Sequence, residues 1–368
     1  MKINIDLKGA FGYYGIANYK RNLAIQLLRF QDLEMTGCYN WCRAATRQRY
    51  NWYHGDLRRS LMPEKLVYGK NWFSGFSYEM TMGSNADLNL FLTYLLPNLR
   101  FNAPVISAIH DIILLKARAE SHQEIEAHDT ILRRTISLSE KIITVSKASK
   151  ADLVEYYHLQ PEKIAIVHNG INVGDLLASV SSEQEKRVKK KYGLPERYIL
   201  FFGGYRKHKN LERLLQAYSF LNASIRREVK VVFTNKSAEL QRLASELNID
   251  NDVVFAGFAD ERDKATVYKM ADLVYYASLY EGFGVPVIEA QICKTPVITS
   301  NTSSLPEASG GYAKLVDPYN VDEIYNAIRD IIDGGADIDK MVEQGYCNAL
   351  QYTWERSAQE MYDVLRDM

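Results

Sequence analysis

Apolar residues along this chain gather in short runs set apart by longer amphipathic stretches. Residues 2–7, Lys-Ile-Asn-Ile-Asp-Leu, place apolar side chains at every second position, the period of a strand, and residues 16–30 return to the helical period. Further strand-like runs fall at 87–92, 105–109, 141–145 and 164–167, with a helix over 121–140 and another opening at Ser146, whose hydroxyl suits an N-cap. A second series has strands at 198–202, 229–233, 253–255, 273–276 and 296–298, with helices near 211–221, 238–247, 321–332 and 354–366. Strands that alternate with helices pair in parallel and need cover on both faces, so each series predicts a doubly wound, Rossmann-like α/β domain. Residues 173–195 are polar and charged and read as a linker with a solvated helix. The expected division is 1–172, linker 173–195 and 196–352, two domains facing each other across a cleft.

Residues 38–80 break this rhythm. Trp41, Tyr50, Trp52, Tyr53, Trp72, Phe73, Phe76 and Tyr78 interleave there with Arg43, Arg47, Arg49, Arg58, Arg59, Lys65 and Lys70. Two readings stand: a loop-rich insertion with its aromatics packed beneath it, or a patch for an acceptor or an anionic membrane surface.

Composition narrows the partners. A chain of 368 residues, 47% hydrophobic, can fill two cores, and its 45 basic and 45 acidic residues cancel, so no global field draws it to nucleic acid. Any anion must be bound locally. Of Cys38, Cys42, Cys293 and Cys347 only the first two are close, which makes no zinc set and suits reduced thiols in the cytosol. The amino terminus has no signal-peptide pattern and no apolar run is long enough to span a bilayer, so a cytoplasmic protein is expected.

The chemistry concentrates in residues 280–289, Tyr-Glu-Gly-Phe-Gly-Val-Pro-Val-Ile-Glu. Pro286 is tolerated in the first turn of a helix, so a helix opens near Val287, and Gly282 and Gly284 let backbone approach a ligand. Free N–H groups at that helix start favour an anion, with Glu281 before the turn and Glu289 beyond it. The loop Gly203-Gly-Tyr-Arg-Lys-His-Lys-Asn210 sets Arg206, Lys207, His208 and Lys209 before another helix, a pocket for a diphosphate that lacks the ending of a Walker A motif. His110-Asp111 follows a strand, and Gly9-Ala-Phe-Gly-Tyr-Tyr-Gly15 joins the first strand to the first helix; both are places where open α/β sheets keep ligands. That first turn lacks the dinucleotide spacing, which disfavours an NAD-dependent oxidoreductase. No acidic cluster with metal-ligand spacing occurs, so a metal is not expected.

Together these pieces resemble the retaining glycosyltransferases of family 4, which have the GT-B fold. The resemblance rests on Glu281 and Glu289 with seven residues between them around Gly-Phe-Gly-x-Pro, on Gly15-Ile-Ala-Asn-Tyr19, His110-Asp111 and Lys209-Asn210, and on the loop Ser300-Asn-Thr-Ser-Ser-Leu-Pro-Glu307. Asn18 and His208 stand where arginine is common in that family, and Lys294 where glycine is usual. The resemblance implies transfer of a hexose, without cofactor or metal, from a nucleotide-sugar donor such as a GDP-, UDP- or ADP-hexose. The acceptor implied is a glycan or lipid-linked glycan of surface polysaccharide or lipopolysaccharide, met at the inner face of the membrane. Glu281 and His110 would touch the donor sugar as the catalytic groups, His110 reaching it from the other domain. Phe283, Gly284 and Val285 would donate backbone bonds to the same sugar, and Glu289 would hold the ribose hydroxyls. Gly12, Gly15, Gly204, Arg206 or His208, Lys209 and Ser303 complete the implied donor site, and a final helix over 353–368 would pack back on the first domain.

Two other classes compete. A non-catalytic nucleotide-sugar binder of the same fold is kept open by Asn18, His208 and Lys294. A glycoside hydrolase also uses two carboxylates but needs no basic glycine loop.

Overall fold

The computed structural model describes residues 1–10, 15–41, 47–68, 73–117, 121–177 and 180–368; Gly12, Arg43, Lys70 and Trp72 lie outside the described residues. The chain divides into two compact units, 1–170 with 354–368, and 171–353.

The first unit contains β1 (Lys2–Asp6), β2 (Glu34–Trp41), β3 (Asp56–Pro63), β4 (Phe73–Ser77), β5 (Leu88–Phe91), β6 (Leu99–Arg100), β7 (Val105–Ala108), β8 (Lys141–Thr144) and β9 (Ile164–Ile166). Seven of them form a parallel sheet in the order β3-β2-β1-β5-β7-β8-β9, and β4 pairs with β6 apart from it. Ile3, Ile5, Leu88, Leu90, Val105 and Ile106 are buried in this sheet together with the polar Asn4, Asn89 and Ser107, so both of its faces are covered. Strand order reverses between β1 and β5, so a crevice is expected at the carboxyl ends of β1, β5 and β7. The first residues after β1 and the His110 segment after β7 both lie there.

The described residues of 38–80 are more regular than their sequence pattern shows. β2 reads Glu-Met-Thr-Gly-Cys-Tyr-Asn-Trp, too mixed to give a strand signature, yet it lies inside the sheet between β1 and β3. Gly37 explains part of this: a Cβ there would come 2.7 Å from Leu7 and from Tyr53, so the strand has closed onto its neighbours. β3 is an edge strand whose only buried residue is Ser60, which removes the apolar alternation. Of the aromatics there, Tyr50, Tyr53 and Tyr78 are in the core, as the packed-insertion reading expects, and Phe76 is exposed.

The helix Trp354–Arg366 belongs to this first unit. Tyr362 stacks on Phe30 at 4.1 Å, Gln26 and Arg29 donate to Glu355, and Trp354 covers Gly170, where a Cβ would lie 2.5 Å from the Trp354 backbone.

The second unit contains β10 (Arg197–Phe201), β11 (Val229–Phe233), β12 (Val253–Phe255), β13 (Leu273–Tyr276), β14 (Val297–Ser300) and β15 (Lys314–Val316), all parallel in the order β12-β11-β10-β13-β14-β15. Its reversal of order falls between β10 and β13, which makes the loops after those two strands neighbours. Residues 173–195, read as a linker, belong to this unit. Their helix Ser182–Tyr192 is fastened to the helix Glu261–Lys269 through the buried Asp263, which accepts from Arg187, from Lys191 at 2.7 Å and from Tyr192 at 2.9 Å.

Candidate functional site

The loops after β10 and β13 are stitched together. Leu279 N–H donates to the His208 carbonyl at 2.7 Å, and the buried Asn210 amide donates to the carbonyls of Ala277 at 3.0 Å and Pro318 at 2.7 Å. The basic loop is therefore fixed to the turn that precedes Glu281. Between them lies one polar cluster: Lys209 Nζ donates to Glu281 Oε1 and to the Tyr276 hydroxyl, both at 2.6 Å. Burial alone would lower the Lys209 pKa, but the Glu281 carboxylate and Tyr276 outweigh it and hold the ammonium above its ordinary value. Lys209 is a permanent cation.

The turn after Glu281 is held from a second side by the loop following β14. Glu281 N–H donates to Ser303 Oγ at 3.1 Å, and the Ser304 hydroxyl donates to the carbonyls of Glu281 at 2.9 Å and Phe283 at 2.7 Å. Ser303 adopts φ +58°, a left-handed conformation rare for a residue with a side chain, and its own hydroxyl donates to the Glu281 carbonyl. Gly284 has φ +123°, and a Cβ there would meet Leu305 at 2.8 Å and Ala308 at 3.1 Å, so both backbone and space demand glycine. The helix it caps, Val285–Ile292, opens two residues earlier than the sequence suggests, with Pro286 still in its first turn.

Glu289 lies further along that helix and is 7% exposed. Lys264 Nζ donates to its Oε1 at 2.7 Å and the Tyr268 hydroxyl to its Oε2 at 3.0 Å. Burial opposes the Lys264 charge, while Glu289 and Glu261 raise its pKa above the ordinary value. A carboxylate has about four lone-pair sites, so two remain for a ligand. Each glutamate of the motif thus sits in a group with one lysine and one tyrosine. Sequence reasoning missed Tyr276, Lys264 and Tyr268. The available signals were a tyrosine ending a strand at the switch point and a Lys/Tyr pair four residues apart on one helix face.

In the basic loop, burial lowers the His208 pKa, Lys209 and Arg206 add to that, and Glu281 opposes it, so His208 is neutral near pH 7. Arg206 and Lys207 are exposed and make no ion pair among the described residues, so they add fixed charge to the loop beside Lys209. Gly204 is exposed in the same loop. Lys294 adopts φ +55°, the backbone a glycine would favour, and is held outside the cluster by Glu343 at 2.8 Å.

The first unit holds the remaining candidates. Gly15 opens the helix Gly15–Leu27. The Asn18 side chain accepts from Asn22 at 2.7 Å and Arg21 at 3.2 Å, so it is occupied within its own helix. His110 is 9% exposed, its Nε2 3.4 Å from the Leu92 carbonyl and its ring edge-on to Tyr19 at 4.8 Å. Burial, aided by Lys20 and opposed by the Leu92 carbonyl, pushes its pKa down to about 4. The unfolded chain takes up this proton near the ordinary value of about 6.5. The stability conferred by neutral His110 is therefore present above pH 6.5 and lost as pH falls towards 4. Between pH 7.5 and 5 the melting temperature of His110→Asn is expected to fall less than that of the wild type in scanning calorimetry; equal falls would show that the ring is not buried in neutral form.

The sequence family described as Glycosyl transferases group 1 matches residues 182–347, and that described as Glycosyltransferase Family 4 matches residues 15–175. The chain belongs to the family 4, group 1 glycosyltransferases. A serotype-specific mannosyltransferase of Escherichia coli is 23% identical over 313 residues, 82% of this chain and 37% of that protein, so the chain spans well under half of that relative. Among solved structures, a sucrose-phosphate synthase of Thermosynechococcus elongatus superposes with a TM-score of 0.74 at 19% identity, covering 100% of this chain and 98% of that one. HepE of Anabaena, in complex with UDP and glucose, gives 0.71 at 15% identity and covers 100% of both chains. These likenesses bear out the GT-B fold expected for a family 4 glycosyltransferase. They leave the role of each residue to the geometry above.

Proposed function

We propose that this glycosyltransferase-family protein moves a hexose from a nucleoside diphosphate donor to a glycan or lipid-linked glycan acceptor, with retention and without a metal. The observation that carries the reading is the Lys209–Glu281 pair at 2.6 Å beneath a tightly held glycine turn at a helix start. A diphosphate leaves with growing negative charge and needs that charge stabilised rather than protonated. Lys209, Arg206 and the amides opening the helix Val285–Ile292 supply such stabilisation from one end of the second sheet. Glu281 then faces the sugar and Glu289 the ribose, with Phe283, Gly284, Val285 and Ser303 shaping the turn between them. The name of the mannosyltransferase relative supports a hexosyl donor, and the HepE complex supports a nucleoside diphosphate one.

The acceptor side is read from the first unit. Arg59 and Leu61, which share one face of edge strand β3, and Lys65 and Leu66 of the helix Glu64–Val67 that follows it are exposed and suit an anionic membrane surface bearing a lipid-linked acceptor. Among the described residues no helix is long and apolar enough to cross a membrane, so contact there would be peripheral, at the cytoplasmic face.

The test is release of nucleoside diphosphate from a panel including GDP-mannose and UDP-glucose, with and without acceptor extracts and with chelator throughout. Acceptor-dependent release that survives chelation, with the anomeric configuration kept by NMR, is expected. Stabilisation by the donor with no release would identify a non-catalytic binder, and cleavage of a simple glycoside would identify a hydrolase.

A further inference from the structure

We infer that Tyr276 is a positioning residue that fixes the direction in which Lys209 presents its charge to the donor's phosphates, an inference that rests on the donor site proposed above. An ammonium has three N–H bonds. Two of those on Lys209 are committed, one to Glu281 and one to the Tyr276 hydroxyl, each at 2.6 Å. A phosphate oxygen receives the third, and two fixed partners determine where the third points.

Tyr276 is built to hold such a position. It is the last residue of β13, 3% exposed, and its ring lies parallel to Phe201 of the neighbouring strand β10, at 5.9 Å and 9°. The Lys209 ammonium stands 4.8 Å from the centre of the same ring, off its hydroxyl edge, so the hydroxyl gives it direction. A lysine tied to one carboxylate still swings about it on a long flexible stem, and ordering that stem costs rotamer entropy at the moment a ligand binds. A second anchor on a sheet residue removes that freedom beforehand. A core tyrosine whose hydroxyl merely finds a partner would be just as buried, but it would not be coupled to phosphate binding through Lys209.

Tyr276→Phe separates the two roles, because it keeps the ring and its stacking and removes only the hydroxyl. The measurement is calorimetric affinity for a nucleoside diphosphate and for the matching nucleoside, in wild type, Tyr276→Phe, Lys209→Ala and the double variant. Tyr276→Phe is expected to weaken the diphosphate by about tenfold and leave the nucleoside unchanged, and to have no further effect once Lys209 is alanine. Unchanged diphosphate affinity in Tyr276→Phe, or the same loss in both backgrounds, would overturn the inference while leaving the donor site standing. A wild type that binds no nucleoside diphosphate would remove the donor site itself, and this inference with it.

Discussion

Glu281→Gln is expected to lower kcat by about a hundredfold or more while the donor KM changes only severalfold. Glutamine keeps an oxygen for Lys209 and nearly the same volume, so the turn between Glu281 and Gly284, held by Ser303 and Ser304, should survive. What disappears is the negative charge. As the diphosphate departs, positive charge grows at the anomeric carbon, and a carboxylate beside the sugar stabilises that state more than the ground state. Glu289→Ala should behave in the opposite sense, raising donor KM with kcat little changed, because ribose contacts are alike in the two states. It also removes the buried partner of Lys264 and leaves that lysine only the exposed Glu261, so the melting temperature must be followed alongside the kinetics. Matching, near wild-type kinetics in both variants would remove the roles given to the two glutamates.

The sequence made the fold legible wherever strands are buried on both faces. Residues such as Ile199, Leu200, Val231 and Val232 leave no polar alternation, and their spacing with helices announces a parallel sheet. Legibility failed at β2 and β3, where an edge position and a glycine pressed against Leu7 and Tyr53 erase the apolar pattern. The site divided in the same way. Glu281, Glu289, Lys209 and the two glycines around Phe283 stand out because glycine, proline and carboxylates mark special backbone and charge. Their partners do not, since Tyr276, Tyr268 and Lys264 look like ordinary strand and helix residues until the sheet order brings them together. The basic loop gives the clearest case: sequence left open which of Arg206 and His208 points inward, and in the structure the histidine is half-buried while the arginine is exposed.

Lys209→Ala should weaken the free nucleoside diphosphate and the whole sugar nucleotide alike, each by about a hundredfold, with nucleoside affinity unchanged. The loss reaches both ligands because the contact is with phosphate, and it exceeds that of a surface cation because the pair is 15% and 12% exposed, where screening by water is weak. Removing the ammonium also leaves the Glu281 carboxylate buried without its main partner, so the melting temperature must be followed alongside the affinities. Arginine should not rescue the site, since its planar fork does not reproduce a single ammonium held between a carboxylate and a phenol. If Lys209→Ala impaired the sugar nucleotide alone and left the diphosphate bound as before, Lys209 would be serving the sugar, and the phosphates would have to lie elsewhere.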